Sequence, residues 1–273
     1  MRKIEMKKTG SIIIGVMLMV TLMASSAFAM TTGKDAYDIN TLKGLKSQLN
    51  AKEESGALTE SEKRSIMDKA SPSVVAAFDA EKMELAKEEL NALDLDVILE
   101  EKADGTLGGT KTIDLGNGCE VTVELKEGED FTVLEKIRDA IFQPAYAATN
   151  GETMWKDYGN RYFTAKVTTV LGAGTCTMSL ENHYNLSSSG ITERYGVSDA
   201  VGLSATTKIT AREPVITDRT ATTPGSSDVN MYCKYDVESA TTSGNYRLNT
   251  TVGYLQKDST GKRIKVKHSW NWS

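Results

Sequence analysis

Cysteine is scarce in this chain of 273 residues, which contains only three. A small disulfide scaffold needs an even and dense set of cysteines, so this class of protein is excluded. Cys119 is remote in sequence from the other two, whereas Cys176 and Cys233 both lie on the apolar side of strand-like segments. In an oxidising compartment this pattern permits a disulfide between Cys176 and Cys233. Two buried free thiols are the alternative, because a disulfide requires a narrow Cα separation.

Histidine is scarcer still, since His183 and His268 are the only two. Catalytic triads and zinc sites depend heavily on histidine, and neither residue has neighbours at a triad or ligand spacing. The glycines of segment 172–174 precede a strand, whereas a dinucleotide-binding loop precedes a helix. We therefore predict no metal and no cofactor. The sequence identifies no catalytic residue, although a pair of carboxylates brought together by the fold stays open as a glycosidase hypothesis.

Long hydrophobic segments are absent after residue 29, and the main apolar run extends from Ile12 to Met23. A basic segment precedes this run and Ala27-Phe28-Ala29 follows it, which is typical of a cleavable secretory signal peptide. The run is shorter than the roughly 20 residues of a spanning helix, which disfavours the alternative of an uncleaved anchor. We therefore predict a secreted, extracellular bacterial protein that begins at Met30 after loss of residues 1–29. No integral membrane segment is expected after cleavage.

Basic charge is in deficit, because residues 30–273 hold 28 basic and 36 acidic side chains, a net charge of −8. An acidic balance argues against nucleic acid as a partner. The deficit is confined to residues 30–149, whose net charge is −11, whereas residues 150–273 have a net charge of +3. The uncharged, Pro-containing segment 143–151 is interpreted as a linker. It separates a helical α+β domain at 30–142 from a β-sandwich domain at 152–273.

Hydrophobic periodicity predicts helices first and a small sheet afterwards. Apolar residues recur at helical spacing from Ile39 to Leu49, Thr59 and Glu62 fit a capping box, and Ser71-Pro72 fits a second helix start. The period then changes to the alternation of strands over segments 93–99, 113–115 and 119–125, with a further helix expected over 131–142. We therefore predict N-terminal helices with a small antiparallel β-meander.

The second half shows strand periodicity throughout. Alternating segments begin near Phe163, Cys176, Val229, Tyr246 and Ile264, and residues typical of turns separate them. Strands at this density predict an all-β C-terminal sandwich. The fold class of the whole chain is therefore expected to be α+β.

Aromatic residues make up 7% of the chain, and six of them are candidates for a platform that stacks on sugar or peptide. These are Trp155, Tyr158, Tyr162, Tyr195, Trp270 and Trp272. Trp270 and Trp272 share one face of the last strand, about 7 Å apart at the rise of a strand. They are predicted to form a binding pair, with core packing as the alternative, because they share parity with Ile264 and Val266.

The opposite face of the last strand carries Arg263, Lys265 and Lys267, which we name the basic stripe. We predict that the basic stripe binds an anionic cell-wall polymer or a carbohydrate, or docks on the acidic first domain. The alternative is protection of a sheet edge, where lysine blocks association with other strands.

These observations favour a secreted, non-catalytic β-sandwich protein that binds at the cell surface. A secreted hydrolase of wall polymer or peptide is the first alternative. A membrane-damaging β-rich protein is the second, because the alternation over residues 166–171 resembles the amphipathic hairpins of pore formers. An open face of aromatic and cationic side chains would favour the binding protein, and a deep cleft lined by converging acids would favour the hydrolase.

Overall fold

The computed structural model describes residues 38–92, 100–101, 107–130, 153–172, 174–202, 207–239 and 243–273. The signal segment 1–29, the predicted strand 93–99, the predicted helix 131–142 and the predicted linker 143–151 lie outside these residues. The structure therefore does not test the signal peptide, this strand, this helix or the linker, and all four stay predictions.

Three helices open the described chain: α1 (Leu42–Glu54), α2 (Glu60–Met67) and α3 (Pro72–Ala92). The Thr41 hydroxyl accepts a hydrogen bond from the Gly44 backbone at the start of α1, and Thr59 accepts one from Glu62 at the start of α2. A side-chain oxygen at this position satisfies a backbone donor that the helix itself leaves without a partner. Within the described residues, no helix is both long and apolar enough to cross a membrane.

Thirteen strands follow among the described residues, and all of their ladders are antiparallel. They are β1 (Glu100–Glu101), β2 (Leu107–Gly116), β3 (Cys119–Glu129), β4 (Thr153–Asp157), β5 (Gly159–Val170), β6 (Thr175–Ser187), β7 (Gly190–Gly202), β8 (Thr207–Ala211), β9 (Val215–Asp218), β10 (Thr220–Ala221), β11 (Ser227–Ser239), β12 (Ser243–Lys257) and β13 (Arg263–Trp272).

Two sheets form a sandwich. The first sheet has the order β1-β2-β3-β5-β6-β7-β10, and the second has the order β4-β13-β12-β11-β8, with β9 also paired to β11. Alternate residues of long strands such as β5 and β13 are buried, and the inner residues of both sheets belong to one hydrophobic core. Helix α3 packs on β2 and β3 and also reaches β13. The predicted fold class, α+β with a β-sandwich in the second half, is confirmed.

The β2–β3 hairpin turns at Asn117-Gly118, where both residues have positive φ, as the favoured two-residue hairpin requires. Side chains of the helices bind this turn. The two carboxylate oxygens of Glu53 accept hydrogen bonds from the backbone of Asn117 and Gly118, at 2.9 and 3.0 Å. Lys63 donates to the Gly118 carbonyl at 2.7 Å, and Lys82 donates to the Leu115 carbonyl at 2.5 Å. These bonds explain why two lysines are buried beneath the helices.

Strands from both sides of the predicted linker are neighbours in the first sheet. Strand β3 pairs with β5 from Glu120↔Val170 to Glu129↔Arg161. Both strands contribute to the same core, through Leu125 and Ala165 among others. The domain boundary at 143–151 stays a prediction, but the sheet itself is continuous across the two proposed domains.

A buried ionic network lies where β3 and β5 of the first sheet meet β4 of the second. The Glu127 carboxylate, 1% exposed, accepts from Lys156 at 2.6 Å and from Arg161 at 3.3 Å. The Tyr184 hydroxyl donates to the same carboxylate at 3.4 Å and lies 2.8 Å from His268 Nε2. Burial alone would raise the pKa of Glu127, but the charges of Lys156 and Arg161 outweigh burial and lower it. Glu127 therefore stays ionised inside the protein.

Removal of Glu127 should be costly. We expect Glu127→Ala to lower the free energy of unfolding by about 3–5 kcal/mol, because Lys156 and Arg161 would keep buried charges without their carboxylate. The matched control is Glu124→Ala on the same strand, whose ion pair with Lys166 is exposed and should contribute about 1 kcal/mol or less. Denaturant unfolding at neutral pH measures both, and equal losses would contradict this account of the network.

A fragment limited to residues 152–273 should be less stable than residues 30–273. Without β3, the edge of β5 loses its ladder, and Lys156 and Arg161 lose Glu127. We expect the fragment to unfold at a lower denaturant concentration than residues 30–273. Circular dichroism measures both unfolding midpoints. Identical midpoints and equally cooperative transitions would show instead that 152–273 is independent of the first part.

Candidate binding face of the second sheet

The basic stripe lies on the outer face of β13. Residues of this strand alternate between half-buried and buried positions, so Arg263, Lys265 and Lys267 point away from the core. Strand β13 is not an edge, because β12 pairs with it on one side and β4 on the other, where Lys265 is opposite Trp155. Protection of a sheet edge therefore does not explain the basic stripe.

An exposed aromatic ring adjoins the basic stripe. Trp155 on β4 is 39% exposed, and the Arg263 guanidinium lies 5.9 Å from the centre of its ring. Arg263 also lies 3.6 Å from Asp258, which precedes its own strand. Of the six aromatic candidates, Trp155 is thus the one that joins the cations of the basic stripe on this face.

Trp270 and Trp272 do not form the predicted stacking surface. They face inward with Ile264 and Val266, are 9% and 0% exposed, and Trp272 stacks on Tyr246 with ring centres 5.3 Å apart. The alternative, core packing, is what the structure shows. The physical reason is the two-residue period of the strand, which turns the rings inward whenever the lysines point outward.

A polar cavity of about 560 Å³ occupies the same outer face, beyond the Lys267 end of the basic stripe. Most of its amide, hydroxyl and guanidinium side chains come from β11, β12 and β13, and we name six of them the polar pocket: Asn230, Arg247, Asn249, Thr251, Ser269 and Asn271. Thr217 of β9 and Ser273 also line the cavity. Register explains the assembly, because Ser269 is opposite Thr251 and Asn271 is opposite Asn249. Sequence reasoning missed this site, since none of its strands carries a recognisable motif alone.

Hydrogen bonds within β12 and between neighbouring strands hold the polar pocket in shape. Arg247 Nε donates to Asn249 Oδ1 at 2.7 Å, and the Asn249 amide donates to Asn271. Thr251 donates to Asn230 at 2.7 Å. The Arg247 guanidinium lies 3.7 Å from the ring centre of Tyr232 on the same sheet. These contacts restrict the rotamers of the side chains before any ligand arrives, which reduces the entropic cost of binding.

The cavity has no group that performs acid–base or nucleophilic chemistry of the usual kind. Its lining contains no carboxylate, imidazole or thiol side chain. Within the described part of the chain, no group of His, Cys, Asp and Glu side chains is arranged to hold a metal ion. The face is therefore equipped for hydrogen bonding and for attraction of anions.

The two histidines lie elsewhere and are both engaged. His183 Nδ1 contacts Asp130 at 2.9 Å, and Nε2 contacts Glu181 at 2.6 Å. Burial alone would lower the pKa of His183, but these two carboxylates outweigh burial and raise it. His268 is buried beside Tyr184, and burial lowers its pKa to about 4. A protonated His183 held by two acids and a buried His268 are both poorly placed to act as a general base.

The structure does not contain the possible disulfide and shows the alternative, because Cys176 and Cys233 are buried free thiols. Cys176 belongs to β6 of the first sheet and Cys233 to β11 of the second, so the two cysteines are not neighbours in one sheet. The Cys233 thiol instead donates to the Arg212 carbonyl at 3.0 Å. Burial raises the pKa of Cys176 to about 11, which keeps this thiol protonated at neutral pH.

Glu193 is a buried acid between the sheets, 1% exposed on the inner face of β7. Burial raises its pKa to about 8, and Asn182 and the charge of Arg219 offset only part of this effect. A carboxyl group with a raised pKa is a feature of general acids. Its enclosed position, however, keeps it from any substrate on either outer face.

Comparison of the chain with protein-family models, with characterised proteins and with solved structures finds no match. The function is therefore argued from the geometry of the face itself.

The titration of Glu193 should make stability depend on pH. Because its folded pKa is above its unfolded value, the protonated carboxyl contributes stability that is complete below about pH 4.5 and is lost as pH rises through about 8. Glu193→Gln cannot ionise, so we expect its stability relative to the natural chain to increase by up to about 1.4 kcal/mol per pH unit across this window. Denaturant unfolding from pH 5 to pH 9 measures the difference.

The matched control is Glu213→Gln, which neutralises an exposed carboxylate. It should show no comparable trend with pH. Parallel curves for Glu193→Gln and the natural chain would show that Glu193 does not ionise differently in the folded and unfolded states.

Proposed function

We propose that this chain is an exported, non-catalytic β-sandwich protein that binds an anionic polymer of the cell surface through the outer face of its second sheet. Export rests on the signal-peptide pattern of residues 1–29, which lie outside the described residues. Binding rests on the basic stripe, whose three cations stand in one row on a strand that is paired on both sides.

The net charge of the second half and the spacing of the basic stripe support attraction of anions. Residues 150–273 have a net charge of +3, although the chain as a whole is acidic. Successive side chains on one face of a strand are about 7 Å apart, so Arg263, Lys265 and Lys267 provide charge at regular intervals. A linear polymer with repeated anionic groups matches this spacing better than a small anion, which would contact only one or two of the cations.

The observations favour binding over the two alternatives. The hydrolase hypothesis needs acids that converge in a cleft, whereas the cavity on this face has no acidic side chain in its lining. Glu193, the acid with the most suitable pKa, is enclosed in the core. The hydrolase and the membrane-damaging protein stay hypotheses, without a feature of the described residues that favours them.

The test is a sedimentation assay on purified cell wall at two salt concentrations. Binding of the natural chain should weaken as salt rises, because exposed charges are largely screened beyond about 10 Å at 0.1 M ionic strength. The variant Arg263→Gln/Lys265→Gln/Lys267→Gln should lose most of the binding. Its stability should change by about 0.5 kcal/mol or less per position, as is usual for surface substitutions.

The control variant is Lys126→Gln/Lys166→Gln/Arg194→Gln, which makes the same change of charge on the first sheet. It should bind almost as well as the natural chain. Binding that ignores salt, or equal losses in the two triple variants, would refute a specific role for the basic stripe.

A further inference from the structure

The polar pocket lies in line with the basic stripe along a single strand. The outward residues of β13 run from Arg263, Lys265 and Lys267 to Ser269 and Asn271. Ser269 is therefore the next outward position after Lys267, about 7 Å further along the strand. A linear ligand that follows β13 passes from a cationic surface directly into a cavity of amides and hydroxyls.

The two parts of this track suit different chemical groups. A lysine ammonium only donates hydrogen bonds, so the basic stripe suits groups that accept, such as carboxylate or phosphate. An asparagine amide both donates and accepts, and a hydroxyl does the same. Such side chains match neighbouring hydroxyls of a sugar, which also donate and accept. An ionised polyphosphate or acidic side chain only accepts hydrogen bonds, so it cannot bind the acceptors of the polar pocket.

The internal bonds of the polar pocket leave capacity for a ligand. Asn249 donates one amide hydrogen to Asn271 and accepts a hydrogen bond at Oδ1 from Arg247. The second amide hydrogen of Asn249 is left to bind a ligand. Asn271 accepts through Oδ1 and is exposed, so its amide nitrogen faces solvent without a partner among the described residues. The cavity volume of about 560 Å³ is within the range of small-ligand sites, roughly 300–1,000 Å³.

We propose that the ligand is an anionic polysaccharide, with one of its sugar residues held in the polar pocket and its acidic groups along the basic stripe. This inference rests on the proposed function, to which it adds the chemical class of the polymer. Asn249 and Asn271 bind sugar hydroxyls, Arg247 contributes one cation inside the cavity, and the exposed ring of Trp155 lies beside Lys265 and Arg263 of the basic stripe.

The test compares polymers that share charge but differ in hydroxyl groups. Polygalacturonate and hyaluronate are anionic polysaccharides, and long-chain inorganic polyphosphate is an anion without sugar. We expect Asn249→Ala/Asn271→Ala to bind at least one of the polysaccharides about tenfold more weakly than the natural chain, as the loss of two hydrogen bonds predicts. Its affinity for polyphosphate should be unchanged, whereas the triple variant of the basic stripe should bind both kinds of polymer more weakly.

A second amide pair provides the matched control. Asn185 donates to Asn160 at 2.9 Å across two strands of the first sheet, in the same kind of contact. Asn160→Ala/Asn185→Ala should bind every polymer as the natural chain does. Thr251→Val removes one hydroxyl of the polar pocket with little change of volume, and it gives an independent reading if the double variant is unstable.

The outcomes separate the two proposals. A natural chain that binds polyphosphate but neither polysaccharide, or pocket variants that bind both kinds of polymer normally, would overturn the polysaccharide site and leave the proposed function standing. A natural chain that binds neither these polymers nor purified cell wall would overturn the proposed function as well. A selective loss of polysaccharide binding in the pocket variants would support the site.

Discussion

Glu127 holds together the corner of the sandwich on which the rest of the molecule depends. Its carboxylate comes from the first half of the chain, and its two cationic partners, Lys156 and Arg161, come from the second half and from different sheets. A buried carboxylate alone would be strongly unfavourable, so the ionised group requires both partners nearby. Tyr184 extends the network to His268, and hence to β13. The position of β13 and its outer face is thus linked to an acid of the first sheet.

The network that holds β13 in place also fixes the outer face of the sheet, because β13 has one buried surface and one outward surface. Inward, it contributes Ile264, Val266, Trp270 and Trp272 to the core. Outward, it carries the basic stripe and part of the polar pocket. A strand that is paired on both sides and packed on its inner face is rigid. The charged and amide side chains on its outer face therefore keep a fixed spacing. The same alternation that builds the sandwich therefore also builds the candidate site.

Local patterns in the sequence predicted much of this fold, because they depend on nearest neighbours along the chain. Helical spacing located α1, the cap at Thr59 located α2, and alternation placed Lys265 and Trp272 on opposite faces of one strand. The partners of each strand are not encoded locally. Whether Lys265 stands on an edge depends on β4, a five-residue strand more than a hundred residues earlier. The same limit explains why the sequence left both a disulfide and two free thiols open for Cys176 and Cys233, and why a pocket whose side chains come from several strands was missed.

The partnership of β4 and β13 also has a kinetic consequence. The second sheet cannot gain the central strand that carries the basic stripe until residues 263–272 have been made, although β4 is available long before. Contacts so distant in sequence form slowly, because the intervening chain must first lose its conformational freedom. Throughout this interval β4 and the uncovered side of β12 expose unpaired backbone groups, which can recruit strands of other molecules. We therefore expect exposed strands to persist longer during the folding of this protein than during the folding of one whose sheets consist of successive hairpins alone.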